Sequence, residues 1–174
     1  MPAPRDKAAA IKLAVFDVDG VLTDGRLILG SNGEEYKAFH VHDGLGLVLL
    51  QKAGIRVAVI SARSSNVVAE RMAALGIEYV YQGREDKRTA LAGLLADLDM
   101  QPEDTLFVGD DLLDLPAMGS AGLAVAVADA HPLVRKHADW VTTLPGGRGA
   151  AREVCEMLLD AQGHLDELCR EYLR

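Results

Sequence analysis

Ile11–Lys12–Leu13–Ala14–Val15–Phe16–Asp17–Val18–Asp19–Gly20–Val21–Leu22–Thr23–Asp24 joins a mostly apolar run to a loop carrying three aspartates. Ile11 to Phe16 reads as a buried strand, and Asp17 to Gly25 as a polar turn. The same grammar repeats along the chain. Arg56 to Ile60 is a second apolar run, followed by Ser61 and Arg63; Thr105 to Val108 is a third, followed by Gly109, Asp110, Asp111 and Asp114. Tyr79 to Tyr81, Leu123 to Val127 and Trp140 to Thr142 complete the predicted strands. Helical patterns lie between them: Leu45 to Ala53 closed by Gly54, Ser64 to Leu75 capped by Ser64 or Ser65 and stopped by Gly76, Lys87 to Leu98, Leu112 to Met118, and Leu133 to His137. Ala150 to Gln162 is a strongly apolar helix, which Leu165 to Leu173 is expected to continue beyond Gly163. Continuous apolar strands alternating with helices predict an α/β fold, a parallel sheet covered by helices on both faces. Leu27–Ile28–Leu29 and Glu34 to Val41, joined through Asn32–Gly33, read as a β-hairpin inserted at about residues 26–41. No linker or repeat divides the 174 residues, so one domain is expected over 1–174, its C-terminal helix and tail at about 150–174.

The 18 basic and 26 acidic side chains leave a formal charge of −8. That balance disfavours nucleic acid and anionic membrane as partners, which reward clustered Lys and Arg. An anionic substrate then needs a local device, such as a metal ion or a few placed cations. Aromatic residues are 5% of the chain, so the core falls to Val, Leu, Ile and Ala. Cys155 and Cys169 have no CxxC spacing and read as two buried thiols, in keeping with a cytoplasmic protein. No run reaches the ~18 apolar residues of a membrane span, and no secretory leader is legible in Met1 to Lys12.

In an α/β sheet of this kind the chemistry belongs at the carboxyl ends of the strands. Asp17 and Asp19, two residues apart, repel one another, and a divalent cation removes that cost. Mg²⁺ suits an all-oxygen donor set. The bland alternative is a turn whose aspartates cap backbone amides. Ser61 either caps the next helix or offers a hydroxyl to a phosphate oxygen, and Arg63 adds a forked cation. Lys87 opens a helix at its positive dipole end, a poor place for a cation unless an anion is held there. A cap explains one of Asp110, Asp111 and Asp114 but not all three. His40, His42 and His131 lack metal-ligand spacing and read as structural or rim residues.

Taken in order, DxDGV, a serine after the second strand, a lysine, and GDDxxD resemble the haloacid dehalogenase superfamily of phosphatases. The resemblance implies a Rossmann-like parallel sheet sandwiched by helices. It implies Asp17 as the nucleophile, Asp19 as general acid and then base, and Mg²⁺ held by the Asp17 carboxylate, the Asp19 carbonyl and Asp110. Ser61 and Lys87 would hold the phosphoryl group, with Asp111 and Asp114 in or near the outer shell. A narrower resemblance rests on Gly33–Glu34–Glu35–Tyr36–Lys37–Ala38–Phe39–His40–Val41–His42–Asp43–Gly44–Leu45–Gly46, on Val125 to Pro132, and on Gly146–Gly147–Arg148–Gly149–Ala150. It points to the branch acting on acidic sugar phosphates, with His42 and Leu45 departing from that branch's pattern. An arginine at position 63 suits octulosonate 8-phosphate, a step towards lipopolysaccharide; a glutamate there suits nononate 9-phosphates, the alternative substrate. Arg63 and Arg148 are the expected substrate contacts.

Both regions where a cap domain is inserted in that superfamily are short here, one holding the hairpin and the other a single helix. A capless enzyme is expected, and the resemblance implies a homotetramer in which neighbouring subunits wall each site. A non-catalytic binding module of the same fold is the competing class; the full set of Asp17, Asp19, Ser61, Lys87 and Asp110 speaks against it.

Overall fold

The computed structural model of the chain describes residues 4–173. Helix α1 (Arg5–Ala8) leads into strand β1 (Leu13–Phe16), the hairpin strands β2 (Ile28–Leu29) and β3 (Glu35–Tyr36), helix α2 (Val41–Lys52) and strand β4 (Arg56–Ile60). There follow α3 (Asn66–Ala74), β5 (Tyr79–Tyr81), α4 (Lys87–Asp97), β6 (Thr105–Gly109), α5 (Leu115–Met118) and β7 (Leu123–Ala126). The chain ends with α6 (Pro132–His137), β8 (Trp140–Val141), α7 (Ala150–Ala161) and α8 (Leu165–Glu171).

Six strands form one parallel sheet in the order β5-β4-β1-β6-β7-β8. Strands β4, β1, β6 and β7 are mostly apolar and buried almost throughout, as a sheet covered on both faces requires. Right-handed crossovers fix which face each helix covers. From β1 to β5 the chain moves one way along the sheet, which puts α2 and α3 on one face. From β5 it crosses to β6 and moves the other way, which puts α4, α5 and α6 on the second face. Helix α7 joins the first face by packing on α2, where Val154, Cys155, Leu158 and Leu159 are fully buried. The direction reverses between β1 and β6, the crevice where α/β sheets place their ligands.

The strand and helix assignments hold with end shifts, and four local readings change. Helix α2 begins at Val41, not Leu45, because the Nδ1 atom of His40 accepts the His42 N–H and caps the helix earlier. Helix α3 begins at Asn66 after Ser65, but the Ser65 side chain makes no cap hydrogen bond. Residues 165–171 form a separate helix, α8, because the backbone turns at Gly163 with φ +76°. Of the two cysteines only Cys155 is buried; Cys169 is exposed, and both are free thiols.

The hairpin stands apart as a two-stranded sheet, closed where the Gly30 N–H donates to the Glu34 carbonyl at 2.8 Å. Between β5 and β6 there are only α4 and a three-residue 3₁₀ turn, Pro102–Asp104. Among the described residues no helix is long and apolar enough to cross a membrane.

Candidate active site

The carboxyl ends of the adjacent strands β4, β1 and β6 bring Ser61, Asp17 and Asp110 together. Each follows the last or next-to-last apolar residue of its strand, so the sheet register sets their relative heights. The ladder runs one residue further at Asp17, whose N–H donates to the Val108 carbonyl at 3.0 Å. Ser61 is buried, its N–H bound to the Tyr81 carbonyl and its own carbonyl to the Arg84 N–H, both at 2.9 Å.

Two glycines make the loops fit. Gly20 has φ +97°, and a β-carbon there would lie 2.1 Å from Asp110 Oδ2, so only glycine lets the first loop pass this close to the carboxylate. A β-carbon at Gly146 would lie 1.7 Å from the Gly20 carbonyl oxygen. The Gly146–Gly149 loop is therefore glycine-rich because it lies against the loop after β1.

Lys87 is the first residue of α4, which Asp86 caps by accepting the Thr89 N–H. Its side chain is 3% exposed, and its ammonium lies 2.8 Å from Asp17 Oδ1 and 2.6 Å from Asp114 Oδ1. The anions that stabilise a cation at this helix start are thus the protein's own carboxylates. Burial opposes the charge, but Asp17 and Asp114 outweigh it and raise the Lys87 pKa.

Carboxylate oxygens of Asp17, Asp110 and Asp114 lie within 4.8 Å of one another. Burial pushes Asp17 up to about 6, with the Asp114 charge adding and Lys87 opposing. Burial pushes Asp110 up to about 8, helped by Asp17, Asp114 and Asp111 and opposed by Lys87. Asp110 Oδ1 is buried with no hydrogen-bond partner. An orphaned carboxylate oxygen beside two further hard oxygen donors fits Mg²⁺ in charge and donor chemistry.

The remaining expected residues are dispersed around this cluster. Asp114 lies inside it, its second oxygen accepting the N–H groups of Asp110 and Asp111 at 2.8 and 3.1 Å. Asp111 is exposed and caps the 3₁₀ turn Leu112–Asp114. The Asp19 carboxylate lies outside the cluster, paired with Lys37 and 3.9 Å from Arg63 Nε. Arg63 is half-exposed and reaches Glu35 on the hairpin at 3.3 Å. Arg148 is exposed, 3.8 Å from Asp24. His131 accepts the Leu133 N–H and caps α6.

Three residues quoted only for the resemblance were given no role in the sequence reading. Lys37 and Glu35 join the site from the hairpin; their i, i+2 spacing on a strand was the available signal. Asp43, buried in α2, accepts the N–H groups of Gly149 and Arg152 at 3.3 and 2.8 Å and so caps α7 from a distance. Nothing local marks a cap whose helix begins more than 100 residues later.

A doubly wound sheet of this strand order, with paired aspartates after its first strand and a lysine-bound acidic cluster at the switch point, defines a haloacid dehalogenase-like hydrolase. A family model of that description matches residues 76–152. The 3-deoxy-D-manno-octulosonate 8-phosphate phosphatase of Salmonella typhimurium is 52% identical over 166 residues, covering 95% of this chain and 88% of the relative. The corresponding phosphatase of Moraxella catarrhalis, solved in complex with magnesium ion, phosphate ion and a KDO molecule, superposes with a TM-score of 0.95. It is 45% identical, with 97% of each chain covered. The cobalt-bound enzyme of Haemophilus influenzae gives a TM-score of 0.92 at 43% identity, covering 97% of this chain and 99% of the other. The chain belongs to the 3-deoxy-D-manno-octulosonate 8-phosphate phosphatase family.

Proposed function

We propose that this chain, acting as one catalytic unit, hydrolyses 3-deoxy-D-manno-octulosonate 8-phosphate to the free sugar acid and phosphate. The carrying observation is the Lys87 ammonium 2.8 Å from Asp17 Oδ1, beside Asp110, at the point where strand order reverses. The solved relative with magnesium, phosphate and KDO supports the same substrate and cation.

Asp17, Asp110 and the Asp19 carbonyl would hold Mg²⁺, with Asp114 steering Asp110 and Lys87 from behind. Bound Mg²⁺ supplies neutralising charge between the attacking carboxylate and the phosphate. Lys87 and the Ser61 hydroxyl orient the phosphoryl oxygens. An Asp17 oxygen attacks phosphorus as the bond from phosphorus to the sugar oxygen breaks, and Asp19 donates its proton to that oxygen. Asp19, now a carboxylate, takes a proton from the water that attacks the aspartyl-phosphate. Phosphate leaves and Asp17 is restored. Such transfer is mostly alignment and charge compensation, which suits a site of fixed strand ends.

Arg63 and Arg148 are the cations that would meet the sugar acid. Asp111 is assigned no contact with the cation, in keeping with its exposure. The exposed hairpin residues Leu27, Ile28, Leu29 and Tyr36 support a homotetramer in which hairpins pair and neighbouring subunits wall each site. The two free thiols suit a cytoplasmic protein. Asp17→Asn, which keeps shape but removes the attacking charge, tests the mechanism: Mg²⁺-dependent phosphate release is expected to vanish. Wild-type turnover in that variant would refute the assignment.

A further inference from the structure

The Lys37 side chain is 1% exposed, although it stands on a hairpin whose other residues mostly face outward. Strand alternation explains the contrast. Glu34 and Tyr36 share one side, where the Tyr36 hydroxyl donates to Glu34 at 3.0 Å. Glu35 and Lys37 share the other, turned to the strand ends. There the Lys37 ammonium pairs with Asp19 Oδ1, 18 residues away in sequence, and lies 3.4 Å from Glu35 Oε1. Arg63 closes the ring, with Nη2 3.3 Å from the same Glu35 oxygen and Nε 3.9 Å from Asp19 Oδ2. A buried ammonium is costly unless paired, so two carboxylates are held to it in fixed geometry.

We propose that Lys37 is the positioning residue for Asp19: it anchors Oδ1 and leaves Oδ2 to carry the proton to the departing sugar oxygen. The inference rests on the proposed role of Asp19 as general acid. It makes the hairpin part of the catalytic machinery, because the strand that would join neighbouring subunits also aims the acid. When Asp19 gives up its proton, the charge left on its carboxylate is met by the Lys37 ammonium already in place. As a positioning residue Lys37 acts through Asp19, with which it is paired, so its contribution depends on how much proton transfer the leaving group needs.

That dependence is the test. Wild type, Lys37→Met and Lys37→Arg are compared at saturating Mg²⁺ on octulosonate 8-phosphate, whose alkoxide must be protonated to leave, and on 4-nitrophenyl phosphate, whose phenolate leaves unaided. With Lys37→Met, kcat/KM on the sugar phosphate is expected to fall on the order of 10²-fold, and on the aryl phosphate by less than roughly threefold. Lys37→Arg is expected to recover most of the loss. Equal losses on both substrates mean a merely structural lysine and overturn the proposal, as does an undiminished sugar-phosphate rate. Should Lys37→Met not fold, Lys37→Gln decides in the same way. Failure of the wild type to release phosphate from either substrate strikes instead at the phosphatase reading, and shows before any variant is compared.

Discussion

Asp17 and Asp110 are carboxyls that the fold makes reluctant to ionise. Their folded pKa values, about 6 and about 8, exceed the ordinary value of 3.8. Without a cation, the folded protein therefore binds more protons than the unfolded chain across that interval, and its stability falls as pH rises from about 4 to about 8. Thermal melts in EDTA are expected to show a Tm that declines over this range, with added Mg²⁺ raising Tm more at pH 8 than at pH 6. Asp110→Asn is expected to flatten the decline, to melt a few degrees above wild type in EDTA at pH 8, and to lose the Mg²⁺ response. A Tm in EDTA that is the same for both proteins at pH 8 would contradict this. These aspartates were legible in the sequence because each follows an apolar strand directly. Lys37 was not, since its partner Asp19 is reached only once the hairpin folds back over the loop after β1.

At the scale of elements, the sheet's strands were readable from continuous apolar runs, and the starts of α4 at Lys87 and α7 at Ala150 were read in place, whereas the groups that cap α2 and α7 were not. Helix α2 begins at Val41 under a histidine cap, in a stretch whose β-branched and aromatic residues favour a strand. The N-terminus of α7 has Gly149 at its cap position with no side-chain cap of its own, and Asp43 from α2 serves instead. Burial raises the Asp43 pKa, against the two N–H groups that favour its carboxylate. Asp43→Ala strips both donors of a partner. It is expected to cost about 1–2 kcal/mol, a fall of about 2–8 °C in Tm for a chain of this size. Calorimetry that finds no change would show that α7 does not depend on this cap.

The whole molecule is a doubly wound sheet whose chain reversal between β1 and β6 puts Asp17 and Asp110, the proposed nucleophile and cation ligand, side by side. That arrangement was legible because alternating strands and helices leave few topologies open. Assembly is the part a single chain carries least directly, in the exposed apolar residues Leu27, Ile28, Leu29 and Tyr36 of the hairpin. Sedimentation is expected to find a tetramer, and Leu27→Asp with Leu29→Asp to dissociate it. The dissociated form is expected to lose sugar-phosphate turnover far more than aryl-phosphate turnover, because the neighbour's wall is gone. A fully active monomer would contradict the assembly. The central proposal, a phosphatase for the eight-carbon sugar acid, is tested most directly by comparing kcat/KM for octulosonate 8-phosphate and a nononate 9-phosphate in Mg²⁺. A clear preference for the octulosonate ester is the expected result; equal or better turnover of the nononate ester would contradict it.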